Sequence, residues 1–152
     1  MNILLLEDNG SVFSFLMEEL EKLGHRIALA TKVSRAIDLM SDEIGIKFDC
    51  IIVDLNINPI GLMNENLEKS DEYEKIWGWY WLKNIVFPKD EKWKKRTIIY
   101  SGYTKILYSK VDEKDYEDIY IVEKNNAIDN ENNLIDDFDL ICTYLKKIET
   151  SQ

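Results

Sequence analysis

Four short signals stand in one order along the chain, each at the C-terminal end of an apolar run. Glu7-Asp8 closes Ile3-Leu4-Leu5-Leu6, and Asp54 closes Cys50-Ile51-Ile52-Val53. Ser101-Gly102 closes Thr97-Ile98-Ile99-Tyr100, and Lys124 closes Ile119-Tyr120-Ile121-Val122-Glu123. As strands of a parallel sheet, these runs would end along one edge, where open α/β folds place ligands. Three carboxylates, a hydroxyl and a lysine then meet at one point. Glu7, Asp8 and Asp54 would crowd like charges there, and a divalent cation relieves that repulsion. Mg2+ suits the set: it prefers oxygen ligands and takes one or two carboxylates together with a phosphate. A carboxylate so placed can act as a nucleophile and form an aspartyl phosphate. Lys124 would supply a point charge for phosphoryl oxygens, and Ser101 a hydroxyl donor.

Each piece also has an ordinary structural explanation. Acids favour helix starts, an aspartate at a strand end can begin a turn, and Ser-Gly is common turn chemistry. Lys124 by itself reads as a surface lysine. The chemistry rests on order, strand placement and spacing taken together.

Elements that could position these residues alternate along the chain. Strands are expected at Ile3–Leu6, His25–Ala30, Phe48–Leu55, Thr97–Tyr100 and Ile119–Val122. Asn9-Gly10-Ser11 breaks the first and can cap a helix carrying Val12, Phe13, Phe15, Leu16, Leu20 and Leu23, which Gly24 ends. Further helices are expected over Ser34 to Met40, with Ala36, Ile37 and Met40 inward, and over Ile76 to Val86 before Pro88. Lys105 to Val111 reads as a short helix. The last runs from Leu134 to Ile148, with Leu134, Phe138, Ile141, Leu145 and Ile148 on one stripe. Such alternation predicts an α/β fold with a five-stranded parallel sheet, helices on both faces and right-handed crossovers. The flavodoxin-like, doubly wound order 2-1-3-4-5 is taken from known folds of this class. Residues 59–75 form a long insertion between strand 3 and helix 3, where Leu62, Leu67 and Tyr73 offer some packing.

The totals exclude several functions. A length of 152 residues suggests a single domain, 1–152. The formal charge is −10, from 29 acids against 19 bases, so direct nucleic-acid binding is not expected. The locally basic Lys89 to Arg96 reads as a solvated turn. No apolar run reaches the about 20 residues that a membrane span needs, and Met1-Asn2 lacks the positive start of a signal peptide. Cys50 and Cys142 fit no metal or redox spacing and read as buried thiols in a reducing cytoplasm. The single histidine, His25, reads as a surface residue and permits no His-based metal site or Ser-His-Asp triad. Trp77, Trp79 and Trp81 cannot share one helical face, so at least one should be exposed or covered by the insertion.

From Met1 to about Ile148 the chain resembles a CheY-like receiver domain of bacterial two-component response regulators. Leu5-Leu6-Glu7-Asp8-Asn9, Ile51-Ile52-Val53-Asp54-Leu55-Asn56, Ile99-Tyr100-Ser101-Gly102 and Val122-Glu123-Lys124 carry the resemblance. Gly78, with Leu82 and Ile85, resembles the glycine that opens the family's third helix. The resemblance implies that Asp54 accepts a phosphoryl group from a histidine kinase or a histidine phosphotransfer protein. It implies Mg2+ held by Asp8, Asp54 and the Asn56 carbonyl, with Glu7 assisting. Ser101 and Lys124 would bind phosphoryl oxygens. The chain reads as a stand-alone receiver that acts on a downstream protein partner, as a monomer or weak homodimer, and is no enzyme beyond its own phosphorylation and dephosphorylation.

Three departures bear on mechanism. Asn125 stands where the family usually has proline, and Ile121 where it has a switch aromatic; strand alternation turns the adjacent Tyr120 to the opposite face. The insertion leaves from the loop beside Asp54 and is expected to form a lid or docking surface. Tyr103 flanks the path of a hydrolytic water and is expected to slow hydrolysis. A pseudo-receiver, signalling without phosphorylation through a fixed surface, is the alternative. A haloacid-dehalogenase-like phosphatase would want an aspartate where Asn56 stands. A flavin site would want a hydroxyl-rich loop in place of Glu7-Asp8-Asn9-Gly10.

Overall fold

The computed structural model describes residues 1–62 and 71–124, and 131–152 with side chains from Leu134 onward. In chain order the elements are β1 (Asn2–Leu6), α1 (Gly10–Lys22), β2 (Arg26–Ala30), α2 (Val33–Leu39) and β3 (Cys50–Val53). Then come α3 (Trp77–Trp81), β4 (Thr97–Ser101), α4 (Thr104–Lys110), α5 (Glu113–Tyr116), β5 (Tyr120–Glu123) and α6 (Glu131–Thr150). All strand pairs are parallel, in the order β2-β1-β3-β4-β5. This is the expected doubly wound sheet.

The sheet separates two cores. Ile3, Leu5, Ile52, Ile98 and Val122 meet Leu16 and Leu20 of α1 and Ile141, Leu145 and Ile148 of α6. Alternate residues Leu4, Leu6, Ile51, Val53 and Ile99 face Ala36 and Leu39 of α2, the α3 tryptophans and Leu107 of α4. Every residue of β3 is buried, as a central strand covered on both faces requires. The register is set by this alternation, since a one-residue slip would exchange the two cores.

The helix starts follow local chemistry. Asn9 caps α1, its side chain accepting from the Ser11 and Val12 amides. Gly24, at φ 84°, ends that helix in the left-handed region. Leu23 is exposed rather than on the apolar face. In α2, Ala36 and Leu39 are buried, and Ile37 and Met40 pack partly buried against the same core.

The expected helix over Ile76 to Val86 is two helices in series. Past Trp81 the chain widens into a π-helical stretch, Leu82–Val86, and the Phe87 amide donates to the Leu82 carbonyl. None of the three tryptophans is exposed. Trp81 lies fully in the core, Trp79 packs edge-to-face on Phe87, and Trp77 is covered by Tyr73 at the end of the insertion. The insertion's Leu62 is 2% exposed, whereas Leu67 lies outside the described residues. Lys89 to Arg96 is not a loose turn. Glu91–Arg96 is a 3-10 helix capped by Asp90, and it half-buries Trp93. Cys50 is buried as expected, but Cys142 is only half-buried. His25 is also half-buried, with Nδ1 3.3 Å from the amino terminus. No helix among the described residues is long and apolar enough to cross a membrane.

Candidate functional site

The four signals arrive at one sheet edge because backbone pairing runs past the strand ends. The Asp54 amide donates to the Leu6 carbonyl at 2.9 Å, so Glu7 and Asp54 leave neighbouring strands side by side. The Lys124 amide likewise donates to the Ser101 carbonyl at 2.9 Å. Carboxylate oxygens of Glu7, Asp8 and Asp54 then lie within 4.8 Å of one another. Glu7 and Asp54 are buried and Asp8 is exposed. The set has the hard oxygen donors and the open side that a divalent cation needs.

Asp54 is the hub. Its Oδ1 accepts from Ser101 Oγ at 2.7 Å and from the Asn56 amide at 3.1 Å. Its Oδ2 accepts from Lys124 Nζ at 2.9 Å. The Tyr103 amide donates to Ser101 Oγ at 3.2 Å, which leaves the serine proton for Asp54. Lys124 Nζ also donates to Glu7 Oε2 at 2.5 Å, and the Asn9 amide to Glu7 Oε1 at 3.0 Å. Charge-assisted bonds of this kind bind a carboxylate more strongly than neutral ones.

Burial dominates the electrostatics of Glu7. It raises the carboxyl to about 7, with the nearby Asp54 charge adding and the Lys124 ammonium opposing. Burial works against the Lys124 charge as well, but Asp54 and Glu7 more than offset it, and the ammonium is held above its ordinary range. The site therefore holds a paired cation among clustered acids, an arrangement typical of perturbed functional groups.

Every residue singled out in the sequence as a site candidate lies here: Glu7, Asp8, Asp54, Asn56, Ser101 and Lys124. Asn125 lies outside the described residues. Ile121 packs half-buried against the core on the α2–α4 side, and Tyr120 points to the other face and stacks on Tyr144 at 4.6 Å. Gly78 matters more directly than its place at a helix start implied. Its amide donates to the Leu55 carbonyl at 2.9 Å, and a Cβ there would stand 2.3 Å from the Asp54 carbonyl oxygen. Only glycine lets α3 approach that closely.

Other neighbours gave little signal in the sequence. Lys75 takes φ 67° and sets its ammonium 5.8 Å from the Tyr103 ring centre. Tyr100 lies beneath Lys124, ring centre to Nζ 5.1 Å. Both described ends of the insertion are fastened. The Ser34 amide of α2 donates to the Ile60 carbonyl at 3.3 Å, and Lys110 of α4 donates to the Asp71 and Glu72 carbonyls at 3.1 Å.

No protein-family model matches the chain, and no curated protein matches it. Solved structures do. A CheY-like response regulator receiver domain from Methanospirillum hungatei superposes with a TM-score of 0.62 at 13% identity, covering 99% of this chain and 98% of that one. The Thermotoga maritima response regulator TrrA, solved in complex with Mg2+-BeF, gives 0.57 at 20% identity, covering 97% of each chain. The non-phosphorylated HemR receiver domain from Leptospira biflexa gives 0.56 at 16% identity, covering 97% of this chain and 92% of that one. The fold is that of CheY-like receiver domains over nearly the whole chain.

Proposed function

We propose that the chain is a phosphoacceptor receiver of a two-component or phosphorelay pathway, in which phosphorylation of Asp54 switches binding to a downstream protein. One observation carries the reading: Asp54 presents one oxygen to Ser101 and the other to Lys124, beside two further carboxylates at a sheet edge. That arrangement supplies a nucleophile, two donors for phosphoryl oxygens and a cation site, the parts that phosphoryl transfer uses. Mg2+ bound by Glu7, Asp8 and Asp54, with the Asn56 carbonyl, would neutralise the crowded acids and the incoming phosphoryl charge.

In the transfer, an Asp54 carboxylate oxygen forms a bond to phosphorus as the phosphorus–nitrogen bond of a phosphohistidine breaks. The imidazole leaves with the electron pair. Lys124 exchanges its contact with Asp54 for one with a phosphoryl oxygen, and Ser101 turns its hydroxyl to another. Hydrolysis later returns the carboxylate and inorganic phosphate. The donor is a histidine kinase or a histidine phosphotransfer protein, the setting is the cytoplasm, and residues 1–152 act as one receiver domain. The mixed charge of the surface and the net −10 give no basis for direct nucleic-acid binding.

The pseudo-receiver reading draws on Ile121, which packs half-buried against the core and offers no aromatic ring to swing. Treatment with acetyl phosphate and Mg2+, followed by intact mass, separates the two. The expected outcome is one added phosphoryl group on the wild-type chain, dependent on Mg2+ and absent from Asp54→Asn. An unmodified wild-type chain that is folded and binds no Mg2+ would support the pseudo-receiver instead.

A further inference from the structure

Tyr100 and Asp137 are polar groups placed in a core that does not need them. Tyr100 is 2% exposed, in one cluster with Ile98, Val122, Ile141 and Leu145, and Asp137 is 6% exposed. The Tyr100 hydroxyl donates to Asp137 Oδ2 at 2.9 Å, joining the end of β4 to the second turn of α6. A buried phenol needs such a partner, but leucine would fill this position with no hydroxyl to satisfy. The contact that the Tyr100 ring makes with Lys124 explains the choice. Tyr100 pairs with Val122 in the β4–β5 register, so Lys124, two residues further on, is its diagonal neighbour on the same face. The Lys124 ammonium lies 5.1 Å from the ring centre, within the range of a cation–π contact. The carboxylate on the phenol polarises the ring in the direction that strengthens this contact.

We propose that Tyr100 is a positioning residue for Lys124, and that its hydrogen bond to Asp137 ties the position of that lysine to helix α6. The ring holds the ammonium above the sheet edge in reach of both Glu7 and Asp54. Asp137 holds the ring. The functional consequence rests on the reading of Asp54 as a phosphoacceptor, but the brace itself is a property of the protein without metal. It runs through the sheet face opposite Ile121, the side on which α1 and α6 pack.

The test has two arms. In metal-free protein labelled with 13C-lysine, the Lys124 Cε protons should be shifted upfield by the ring, with assignment from Lys124→Arg. Tyr100→Leu should abolish that shift, and Tyr100→Phe should keep most of it. In the second arm, beryllofluoride and Mg2+ affinities are measured separately. Tyr100→Leu should weaken beryllofluoride binding by about five-fold, the size of a partly buried cation–π contact. Tyr100→Phe and Asp137→Leu should weaken it by about two-fold, with no loss of Mg2+ affinity in any of the three. Lys124 resonances identical in wild type and Tyr100→Leu would overturn the proposal. So would an equal loss of Mg2+ and beryllofluoride binding, which marks general damage. Tyr100→Phe and Asp137→Leu decide the matter if Tyr100→Leu fails to fold. A wild-type chain that binds no beryllofluoride in Mg2+ rejects the phosphoacceptor reading, and the lysine resonances alone then decide the brace.

Discussion

The two faces of the sheet are built differently. The α1–α6 face is regular, with Leu16, Leu20, Ile141, Leu145 and Ile148 recurring at helical spacing and its aromatic residues set among them. The opposite face is aromatic and irregular: α3 passes into a π-helical turn, Glu91–Arg96 is 3-10, and Trp77, Trp79 and Trp81 are all buried. The irregular face also abuts the site, through Gly78 and the Leu55 carbonyl. The comparison teaches that damage of equal size should have unequal effects. Losses among the aliphatic residues of α1 and α6 should cost stability, whereas losses around α3 should also disturb Asp54.

Trp81→Ala is the largest test. Removing a fully buried indole should cost about 3–5 kcal/mol, read by urea denaturation. Leu20→Ala on the regular face should cost about 2–5 kcal/mol, but should leave Mg2+ affinity at the wild-type value. Equal loss of Mg2+ binding in both would break the comparison.

Gly78→Ala comes next. Its Cβ would stand 2.3 Å from the Asp54 carbonyl oxygen and 3.1 Å from Leu55 Cα, both backbone atoms that cannot step aside alone. Such overpacking should cost about 1–3 kcal/mol and weaken Mg2+ binding at the same time, as a titration beside the denaturation curve would reveal.

A third prediction concerns pH. Burial raises Glu7 from 4.5 to about 7, so the folded state holds a proton that the unfolded chain has released. Metal-free protein should therefore lose stability as pH rises through that interval. Glu7→Gln should flatten the wild-type profile between pH 5 and 7.5, measured in a chelator. On the proposed reading, Mg2+ displaces this proton in wild type, so apparent Mg2+ affinity should rise with pH up to about 7.

Thr104→Val is the smallest. Thr104 Oγ1 is buried without a hydrogen-bond partner among the described residues. Replacing it with a methyl group of similar shape should be neutral or stabilising by about 1 kcal/mol. A loss of more than that would mean the hydroxyl has a role in the β4–α4 turn.

The fold was readable because its signals are local. Four-residue apolar runs, the Asn9 cap and the helical stripe from Leu134 to Ile148 each need only a few neighbours. The meeting of the candidate residues was readable for the same reason, since each strand end carries its polar residue with it. The tryptophan segment was readable only in part. Periodicity says that three alternate residues cannot share one helical face, which pointed to the insertion as a cover, and its Tyr73 covers Trp77. Nothing local pointed to Phe87, which packs on Trp79.

By itself the sequence determined five parallel strands, which residues end them, and therefore which side chains share an edge. It did so because a strand's face and end follow from alternation and breaks in the chain. Only the tertiary structure decided that Lys124 pairs with Glu7 as well as Asp54, that Gly78 touches the Asp54 carbonyl, and that Tyr100 bridges Lys124 to Asp137. Those contacts join residues from 24 to 117 positions apart, where no local pattern operates and only packing selects the partner.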